Sequence, residues 1–344
     1  MSKSKTNLID RLLYLINIIS AFLLLLAYLV PHIQPKQFAT ISVLSLAVPF
    51  LILLNGFFLI LWTLKVKRFL FISLVVLLIG FNQVRSFYKF SSSKKIQTAS
   101  NISFMSYNVR LFNLYNWIGE EGVQKKITDF INEVSPDVIC FQEYNPHDSI
   151  NLPNYNYKFE KLSGKKTKYG QAIYAKYPIV NSGSFEFENT GNNAIYVDLV
   201  VSNDTIRVYN LHLQSAGISA DVDELKEEDS NRLLKRLAYT FRTQQTQAEQ
   251  FNEHSLQSPY KRVICGDFNN TAYSYVYKLI KGDMVDTFEE AGNGFGSTYH
   301  LKYFPLRIDF ILVDTTFQVN NFKKYPVKLS DHYPIQAKLS ISEQ

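Results

Sequence analysis

Three long apolar runs occupy the first ninety residues, and they constrain the fold more than any other feature of the sequence. Residues 12–30 form an uncharged run that, at about 1.5 Å per residue, nearly spans the hydrocarbon core of a bilayer. A second run covers residues 38–64, and a third covers residues 69–81 and extends to about Tyr88. We therefore predict a membrane anchor over residues 1–90 with about three transmembrane helices.

The first run ends at Pro31, and it is not typical of a cleaved signal peptide. Its apolar core is too long, and no small-residue cleavage site follows it. The third run is shorter, so a helix lying in the membrane interface is the alternative to a third span. Three spans remain the preferred interpretation.

Basic residues are concentrated around the anchor. Residues 1–100 hold 11 of the 36 Lys and Arg residues but only one of the 30 acids, Asp10. The net charge of +6 therefore belongs to the membrane flanks and does not indicate a nucleic-acid-binding face. Basic residues before the first run and after the second place both of these ends in the cytoplasm: Lys3, Lys5, Arg11, Lys65, Lys67 and Arg68. A third crossing then places the C-terminal domain outside, an orientation that the basic residues Arg85 and Lys89 weakly oppose.

The sequence changes character after the polar segment 91–100, which is typical of a linker. From there, short β-rich runs alternate with helical runs, which favours a single α/β domain over residues 101–344. Helices are predicted over 122–134, about 231–255 and 272–280. Strands are predicted over the runs ISFMSYNV, DVICFQE, GQAIYAKY, AIYVDLVV, TIRVYNLHL, RVICGDF, RIDFILV and YPIQAKLS.

Two further features of this domain have simple interpretations. The acidic segment 215–230 is expected to be a solvated, mobile loop, with a lid beside the site as the alternative.

Cys140 and Cys265 each end an apolar run, which favours two buried, reduced side chains. No Cys/His spacing of the zinc-binding kind is present.

Polar residues stand repeatedly at the ends of the predicted hydrophobic strands. Burying such a group costs free energy unless it is paired or bound to a cation. Taken singly, each is more often a satisfied core residue, but strand ends meet at one edge of a sheet, where ligands bind. The residues concerned are Asn108, Glu143, His212, Asp267, Asn269, Asp309, Asp331 and His332.

The residue types in this set indicate a class of chemistry. Oxygen ligands from Asp, Glu and Asn favour Mg²⁺ or Mn²⁺, with Ca²⁺ also possible. Two histidines beside several acids suit general acid and base catalysis. The sequence has no serine nucleophile elbow, no glycine-rich phosphate loop and no HExxH motif. The set therefore predicts metal-assisted attack of water, with a phosphoester as the favoured electrophile.

Six motifs in order resemble the endonuclease/exonuclease/phosphatase superfamily: SYNVR, FQE, NLHL, GDFNN, RIDFIL and SDHYP. The superfamily includes deoxyribonuclease I-like nucleases, abasic-site endonucleases, inositol polyphosphate 5-phosphatases and neutral sphingomyelinases. The resemblance covers about 101–344 and implies a four-layer α/β sandwich of two mixed β-sheets flanked by helices. Together with GFGSTYH at 294–300, the helical N-terminus resembles the membrane-anchored bacterial members.

The resemblance implies a role for each polar strand end. Glu143 is expected to be the principal metal ligand, Asn108 an adjacent ligand or water holder, and Asp331 a further group on the metal side. The resemblance implies five catalytic residues. Asp267 would orient or deprotonate the attacking water, and Asn269 would polarise a phosphate oxygen. His332 would contact the scissile phosphate, Asp309 would fix the tautomer of His332, and His212 would donate to a phosphate oxygen or the leaving group.

Two weaker features concern substrate binding. Arg242 lies one helical turn from Gln245, so the two are expected to share a face. Packing or solvation is the favoured interpretation, and a phosphate contact is the alternative. Lys165 and Lys166 belong to a lysine-rich loop that is either solvated or close to the phosphate.

The sequence thus predicts a membrane-anchored, divalent-metal-dependent phosphoester hydrolase in a bacterial inner membrane, with a periplasmic catalytic domain. Its expected partners are the bilayer and a phosphoester that is a lipid, a small molecule or a nucleic acid, and no protein partner is implied. The alternatives are an endonuclease acting on DNA and, in another class, a non-catalytic, membrane-tethered binding module.

Overall fold

The computed structural model describes residues 7–90, 101–165, 167–188, 190–218, 229–301 and 305–341. The predicted linker 91–100 and most of the acidic segment 215–230 lie outside the described residues, so their interpretations stay predictions.

Five helices form the N-terminal part of the chain. They are α1 (Leu8–Ala27), α2 (Pro35–Ser42), α3 (Val48–Leu64), α4 (Leu70–Ile79) and α5 (Phe81–Phe87), with 3₁₀ turns at Val30–His32 and Val43–Leu46. Within the described residues, one helical stretch, Leu8–His32, is long and apolar enough to cross a membrane alone. The count rises to three if each of two bent pairs is one span: Pro35–Leu46 with Val48–Leu64, bent by 45°, and α4 with α5, bent by 81°.

Buried polar side chains join α1, α3 and α4. The Asn17 amide nitrogen donates to the Ser73 hydroxyl at 2.7 Å, and the Trp62 indole nitrogen donates to the Asn17 amide oxygen at 2.9 Å. The Ser73 hydroxyl in turn donates to the Asn55 oxygen at 3.3 Å. Hydrogen bonds of this kind hold helices together where no water competes for the donors.

The described residues that follow these five helices contain fourteen strands and four further helices. The strands are β1 (Tyr88–Lys89), β2 (Ile102–Asn108), β3 (Val138–Tyr144), β4 (Tyr157–Ser163), β5 (Tyr169–Ala175), β6 (Ile179–Glu186), β7 (Asn193–Val201), β8 (Asp204–His212), β9 (Lys261–Asp267), β10 (Val285–Asp286), β11 (Gly294–Phe295), β12 (Asp309–Val313), β13 (Phe317–Lys324) and β14 (Ile335–Ile341). The helices are α6 (Val123–Val134), α7 (Ser230–Leu256), α8 (Tyr275–Lys281) and α9 (Thr287–Ala291).

Two six-stranded sheets pack face to face. One has the strand order β13-β14-β2-β3-β5-β4 and the other β10-β12-β9-β8-β7-β6, and each contains one parallel pair among antiparallel ones. Their inner faces share one apolar core, which includes Phe104, Ile173, Val208 and Ile311. Helix α6 covers the first sheet and helices α7 and α8 cover the second. The predicted sandwich of two mixed sheets flanked by helices is confirmed.

The two parallel pairs bring the polar strand ends together. Strands β2 and β3 run parallel in one sheet, and β8 and β9 run parallel in the other. Their carboxyl ends therefore meet at the same edge of the sandwich, where the residues Asn108, Glu143, His212 and Asp267 stand. In the second sheet His212 and Asp309 both pair in register with Asp267, from opposite sides.

The anchor contacts the sandwich directly. Lys36 in α2 pairs with Glu249 in α7, and its backbone N–H donates to the Gln245 side-chain oxygen at 2.7 Å. The Thr271 hydroxyl donates to the Ser45 carbonyl at 3.2 Å. The apolar run 38–64, predicted as one span, is bent by 45°, and its first part lies on the sandwich.

Candidate active site

The Asn108 side chain joins the two sheets at the centre of the site. Its amide nitrogen donates to a Glu143 carboxylate oxygen at 3.1 Å and to an Asp267 carboxylate oxygen at 3.0 Å. Its amide oxygen accepts the backbone N–H of Arg110 at 3.0 Å. Carboxylates from opposite sheets thus converge on a single point, which is a geometry that a cation stabilises.

Two of the site residues, Glu143 and Asn269, have unusual backbone conformations. Glu143 has φ +48° and lies in a β-bulge of β3, where the register against β5 shifts between Phe141 and Tyr144. Asn269 has φ +49°, and its side chain donates to the Leu213 carbonyl at 3.0 Å. Positive φ is costly for residues other than glycine and is retained mainly at functional sites.

His332 is buried between two carboxylates. Its Nδ1 lies 2.9 Å from one oxygen of Asp309 and 3.1 Å from the other, and its Nε2 lies 3.7 Å from Asp267. Burial alone would lower the pKa of His332, but Asp309 and Asp267 outweigh it and raise the pKa well above its usual range. The Asp309 contact fixes Nδ1 as a donor, so a cationic ring presents Nε2 toward Asp267.

Asp267 is a carboxylate with a raised proton affinity. Burial raises its pKa to about 6, while the positive charge of His332 acts in the opposite direction. One of its oxygens accepts the Asn269 backbone N–H at 2.8 Å, and the other accepts from Asn108. The side chain is therefore ionised at neutral pH and close to the range in which it can accept a proton.

His212 faces the same point from the end of β8. Its Nε2 lies 3.9 Å from a Glu143 oxygen and 3.9 Å from an Asp267 oxygen. Burial lowers the pKa of His212, so the ring is neutral at pH 7. This nitrogen is buried and has no hydrogen-bond partner among the described residues, so it is free to contact a ligand group.

Arg110 is a functional candidate that the sequence reasoning missed. Its Nε lies 3.3 Å from an Asp331 carboxylate oxygen, and its guanidinium group stacks on Trp117 at 4.5 Å. The Ser330 hydroxyl donates to the Asn108 carbonyl at 2.8 Å and ties the SDHYP loop to β2. The sequence did contain a signal for this residue, because Arg110 is the last residue of the SYNVR motif.

Two cavities flank Glu143. One has a volume of about 360 Å³ and is lined in part by Arg110, Asn269, Asp331 and His332. The other has a volume of about 480 Å³, and its polar lining includes His212, Lys161, Asn193 and Gln214. A ligand that reaches Glu143 can therefore extend into an open space on either side.

The donor set fits a divalent cation. Asp267, Asp309 and His332 are buried, and their ligand atoms all lie within 4.8 Å of one another. Because His332 and Asp309 already bond to each other, the convergent oxygens of Glu143 and Asp267 are the better cation donors. Burial raises the pKa of Glu143, and nearby Asp331 raises it further, so a bound cation would relieve the desolvation and repulsion of these groups.

The structure also gives positions for two of the three weaker substrate-binding candidates. Arg242 is exposed on α7, whereas Gln245 is buried and holds Lys36 of the anchor. Lys165 is exposed in the turn between β4 and β5, and Lys166 lies outside the described residues. Lys161, in the preceding strand β4, lines the 480 Å³ cavity.

Comparison with known sequences gives two matches. The profile of the Endonuclease/Exonuclease/phosphatase family matches residues 105–332. A profile described as a domain of unknown function matches residues 10–87. A search of curated proteins found no match.

Solved structures with this fold come from several organisms. An endonuclease/exonuclease/phosphatase from Bacteroides vulgatus is 20% identical, with a TM-score of 0.54 over 72% of this chain and 100% of its own. A protein of unknown function from Enterococcus faecalis V583 is 18% identical, with a TM-score of 0.55 over 70% and 100%. D. rerio TDP2 complexed with a single-strand DNA product is 16% identical, with a TM-score of 0.52 over 70% and 99%. At these identities the likeness concerns the fold.

Proposed function

This chain belongs to the endonuclease/exonuclease/phosphatase family, and from that premise we propose that it is a membrane-anchored, divalent-metal-dependent phosphoester hydrolase. The observation that carries the proposal is the position of Asp267 between two buried histidines. His332 Nε2 lies 3.7 Å away, and Asp309 and Asp267 raise the pKa of that ring, whereas His212 Nε2 lies 3.9 Å away and burial lowers its pKa. A base and two donors therefore surround one point.

The proposed step is the displacement of an alcohol by water at phosphorus. The water oxygen forms a bond to phosphorus as the P–O bond to the leaving alcohol breaks. Asp267 takes a proton from the water, and solvent supplies one to the leaving oxygen, while the neutral His212 ring donates a hydrogen bond to a phosphate oxygen. His332 and Asn269 stabilise the negative charge on the phosphate oxygens. One water is consumed, and one alcohol and one phosphate product are released.

The cation would be held on the β3 side of the site. Glu143 would be the principal ligand, with Asn108, Asp331 and Asp267 oriented around it. When bound, Mg²⁺ or Mn²⁺ would polarise the phosphoryl oxygen and offset the charge of the substrate. The convergence of the Glu143 and Asp267 oxygens on Asn108, at 3.1 and 3.0 Å, supports this placement.

Purified full-length protein tests the proposal. Hydrolysis of bis(4-nitrophenyl) phosphate should be abolished by EDTA and restored by Mg²⁺ or Mn²⁺. The substitutions His332→Ala, Asp267→Ala and Glu143→Ala should each lower kcat/KM by about a hundredfold or more. The matched control His147→Ala removes an exposed histidine whose ring contacts Ser149, and it should leave the rate unchanged. Metal-independent hydrolysis, or wild-type rates in these variants, would contradict the assignments.

Two alternatives are outcomes of the same assay. An endonuclease acting on DNA, for which the DNA product bound to D. rerio TDP2 is the specific precedent, would nick plasmid DNA and leave small substrates intact. A non-catalytic, membrane-tethered binding module would hydrolyse neither substrate with either metal.

A further inference from the structure

The 360 Å³ cavity beside Glu143 is lined by two chemically different groups of residues. The polar group consists of proposed catalytic residues and their neighbours: Arg110, Glu143, Asn269, Asp331 and His332. The apolar group, named the apolar wall, has two parts, one of Leu46, Ala216 and Ile218 and one of Leu306 and Ile308, and Ser215, Gly217 and Tyr299 complete the lining. A small, fully polar phosphoester would leave this apolar wall in contact with water, whereas a substrate with an apolar part would cover it.

One residue of the apolar wall comes from the anchor. Leu46 lies in the 3₁₀ turn between α2 and α3, and together with Val43 it packs against Ala216, Leu237 and Phe241 of the catalytic domain. The turn is fixed in place because Ser45 is fully buried and its carbonyl accepts the Thr271 hydroxyl. The anchor therefore supplies part of the active-site cavity.

Exposed apolar side chains flank Leu46 along the chain. Helix α3 starts two residues after Leu46 and exposes Phe50 and Leu53, and helix α2 before it exposes Phe38 and Ile41. Exposed apolar side chains on a bilayer-spanning bundle face lipid. Leu46 lies between these residues in the chain and lines the cavity, so it offers an apolar contact to a hydrocarbon chain that reaches the site from the bilayer.

From these contacts we infer that the substrate is a membrane lipid whose phosphoester enters this site with its hydrocarbon chain against Leu46. The inference rests on the proposed function, because it names the substrate of the same site. The phosphorus would lie at Glu143, the chain along the apolar wall, and the polar headgroup in the 480 Å³ cavity beside Lys161 and Asn193. Leu46 is then a specificity-determining residue that the anchor contributes.

The chemistry balances in the same way for either ester bond of a phospholipid. Water adds its oxygen to phosphorus, one P–O bond breaks, and the leaving oxygen takes a proton. The products are one alcohol and one phosphate monoester. No oxidant, reductant or further reactant is needed.

The test uses full-length protein with Mg²⁺ and three probes. The first is vesicles of equal parts phosphatidylethanolamine and phosphatidylglycerol, the second is the matching glycerophosphodiesters without acyl chains, and the third is bis(4-nitrophenyl) phosphate. We expect the vesicle lipids to be hydrolysed with a kcat/KM at least about tenfold above that of the chain-free diesters, since each methylene removed from water favours binding by about fourfold.

A matched pair of variants isolates the role of Leu46. Leu46→Asn should lower kcat/KM on the vesicles by about tenfold or more, and it should lower kcat/KM on the chain-free glycerophosphodiesters by a smaller factor. Leu256→Asn makes the same substitution at an exposed leucine at the end of α7 and should change neither rate. Leu46→Met, which restores an apolar side chain, should keep most of the vesicle activity.

The outcomes separate the inference from the proposed function. Hydrolysis of bis(4-nitrophenyl) phosphate without hydrolysis of vesicle lipids would overturn the lipid inference and leave the hydrolase proposal standing. Cleavage of single-stranded or plasmid DNA in preference to lipid would also overturn the lipid inference. Equal effects of Leu46→Asn and Leu256→Asn on the hydrolysis of vesicle lipids would do the same. Hydrolysis of none of the probes would overturn both.

Discussion

His332 and Asp309 form a buried pair in which the charge of the histidine depends on its partner. The Asp309 carboxylate raises the pKa of His332, so a ring that burial alone would keep neutral is protonated at neutral pH. The catalytic form of the site therefore exists below the raised pKa of His332 and is lost as the pH rises through it.

Asp309→Asn should move the alkaline limit of activity to lower pH. Removing the negative charge lowers the pKa of His332, so the ring loses its proton at a lower pH than in the wild type. The measurement is kcat/KM between pH 6 and 10 at saturating Mg²⁺. Asp314→Asn is the control, because Asp314 forms an ion pair with Arg262 instead of a site histidine. Coincident alkaline limits in the wild type and Asp309→Asn would contradict the assignment.

Glu143 illustrates a conflict between stability and function in one side chain. Burial raises its pKa, so the ionised carboxylate binds a proton more readily in the folded than in the unfolded protein. Above both pKa values this shift lowers the free energy of unfolding, and it does so at neutral pH. Replacing Glu143 by glutamine, which has nearly the same shape but no charge, removes this destabilisation.

Glu143→Gln should therefore raise Tm in EDTA by about 2 °C at pH 7.5 while lowering kcat/KM by about a hundredfold. Differential scanning calorimetry and the chromogenic assay measure the two effects. Glu253→Gln, at an exposed position on α7, should change neither. A lower Tm for Glu143→Gln would show that the carboxylate stabilises the fold.

At the scale of the elements, the backbone of Gly266 in β9 has φ +158° and leaves no room for a side chain against β8. A Cβ atom on Gly266 would lie 2.0 Å from the Leu211 carbonyl oxygen of the neighbouring strand. The next residue, Asp267, pairs in register with His212.

Gly266→Ala should lower Tm by about 5 °C or more and reduce activity, because the strands must separate next to the catalytic residues. Gly119→Ala is the matched control, since a Cβ there meets nothing within 4 Å. Circular dichroism melts of the two variants make the comparison. Equal melting temperatures for Gly266→Ala and Gly119→Ala would show that strands β8 and β9 accommodate the added methyl group without loss of stability.

The sequence predicted the interior strands of both sheets but none of the edge strands. All eight predicted runs are strands, and each pairs on both sides. The edge strands β4, β6, β10 and β13 went unpredicted. Edge strands are often short or rich in exposed polar residues, and β4 and β6 are largely exposed while β10 has two residues, so alternation of apolar residues is weak there.

The candidate site, like the sheets, could be predicted from the sequence only in part. Residue types at strand ends sufficed to select Glu143 and Asp267, because buried polar groups need a compensating partner. The positive φ of Glu143 and Asn269 left no signal in the sequence, since neither residue is a glycine. Arg110 was missed because an arginine at a strand end is ordinarily a solvated residue.

At the scale of the whole molecule, basic residues also mark the end of the helical bundle that lies farther from the sandwich. Tyr28, at the end of α1, packs with Tyr273 of the catalytic domain. Asp10, about 27 Å away along the same helix, pairs with Lys65 at the far end. That far end also holds the basic residues Arg11, Lys67 and Arg68. We propose that it is cytoplasmic, with the catalytic domain in the periplasm.

Fusion reporters after residue 100 measure this orientation. Alkaline phosphatase should be active there and green fluorescent protein dark, whereas both signals should reverse when the reporters follow residue 67. Active phosphatase at neither position, or fluorescence after residue 100, would place the catalytic domain in the cytoplasm.

In the proposed membrane-anchored arrangement, the 45° bend between α2 and α3 would hold the cavity at a fixed height above the bilayer. An enzyme mounted in this way meets a lipid by diffusion within the plane of the membrane, so its rate depends on the mole fraction of that lipid among its neighbours. Diluting the substrate lipid with an inert one at constant bulk concentration should slow turnover, whereas diluting the vesicles in buffer should not.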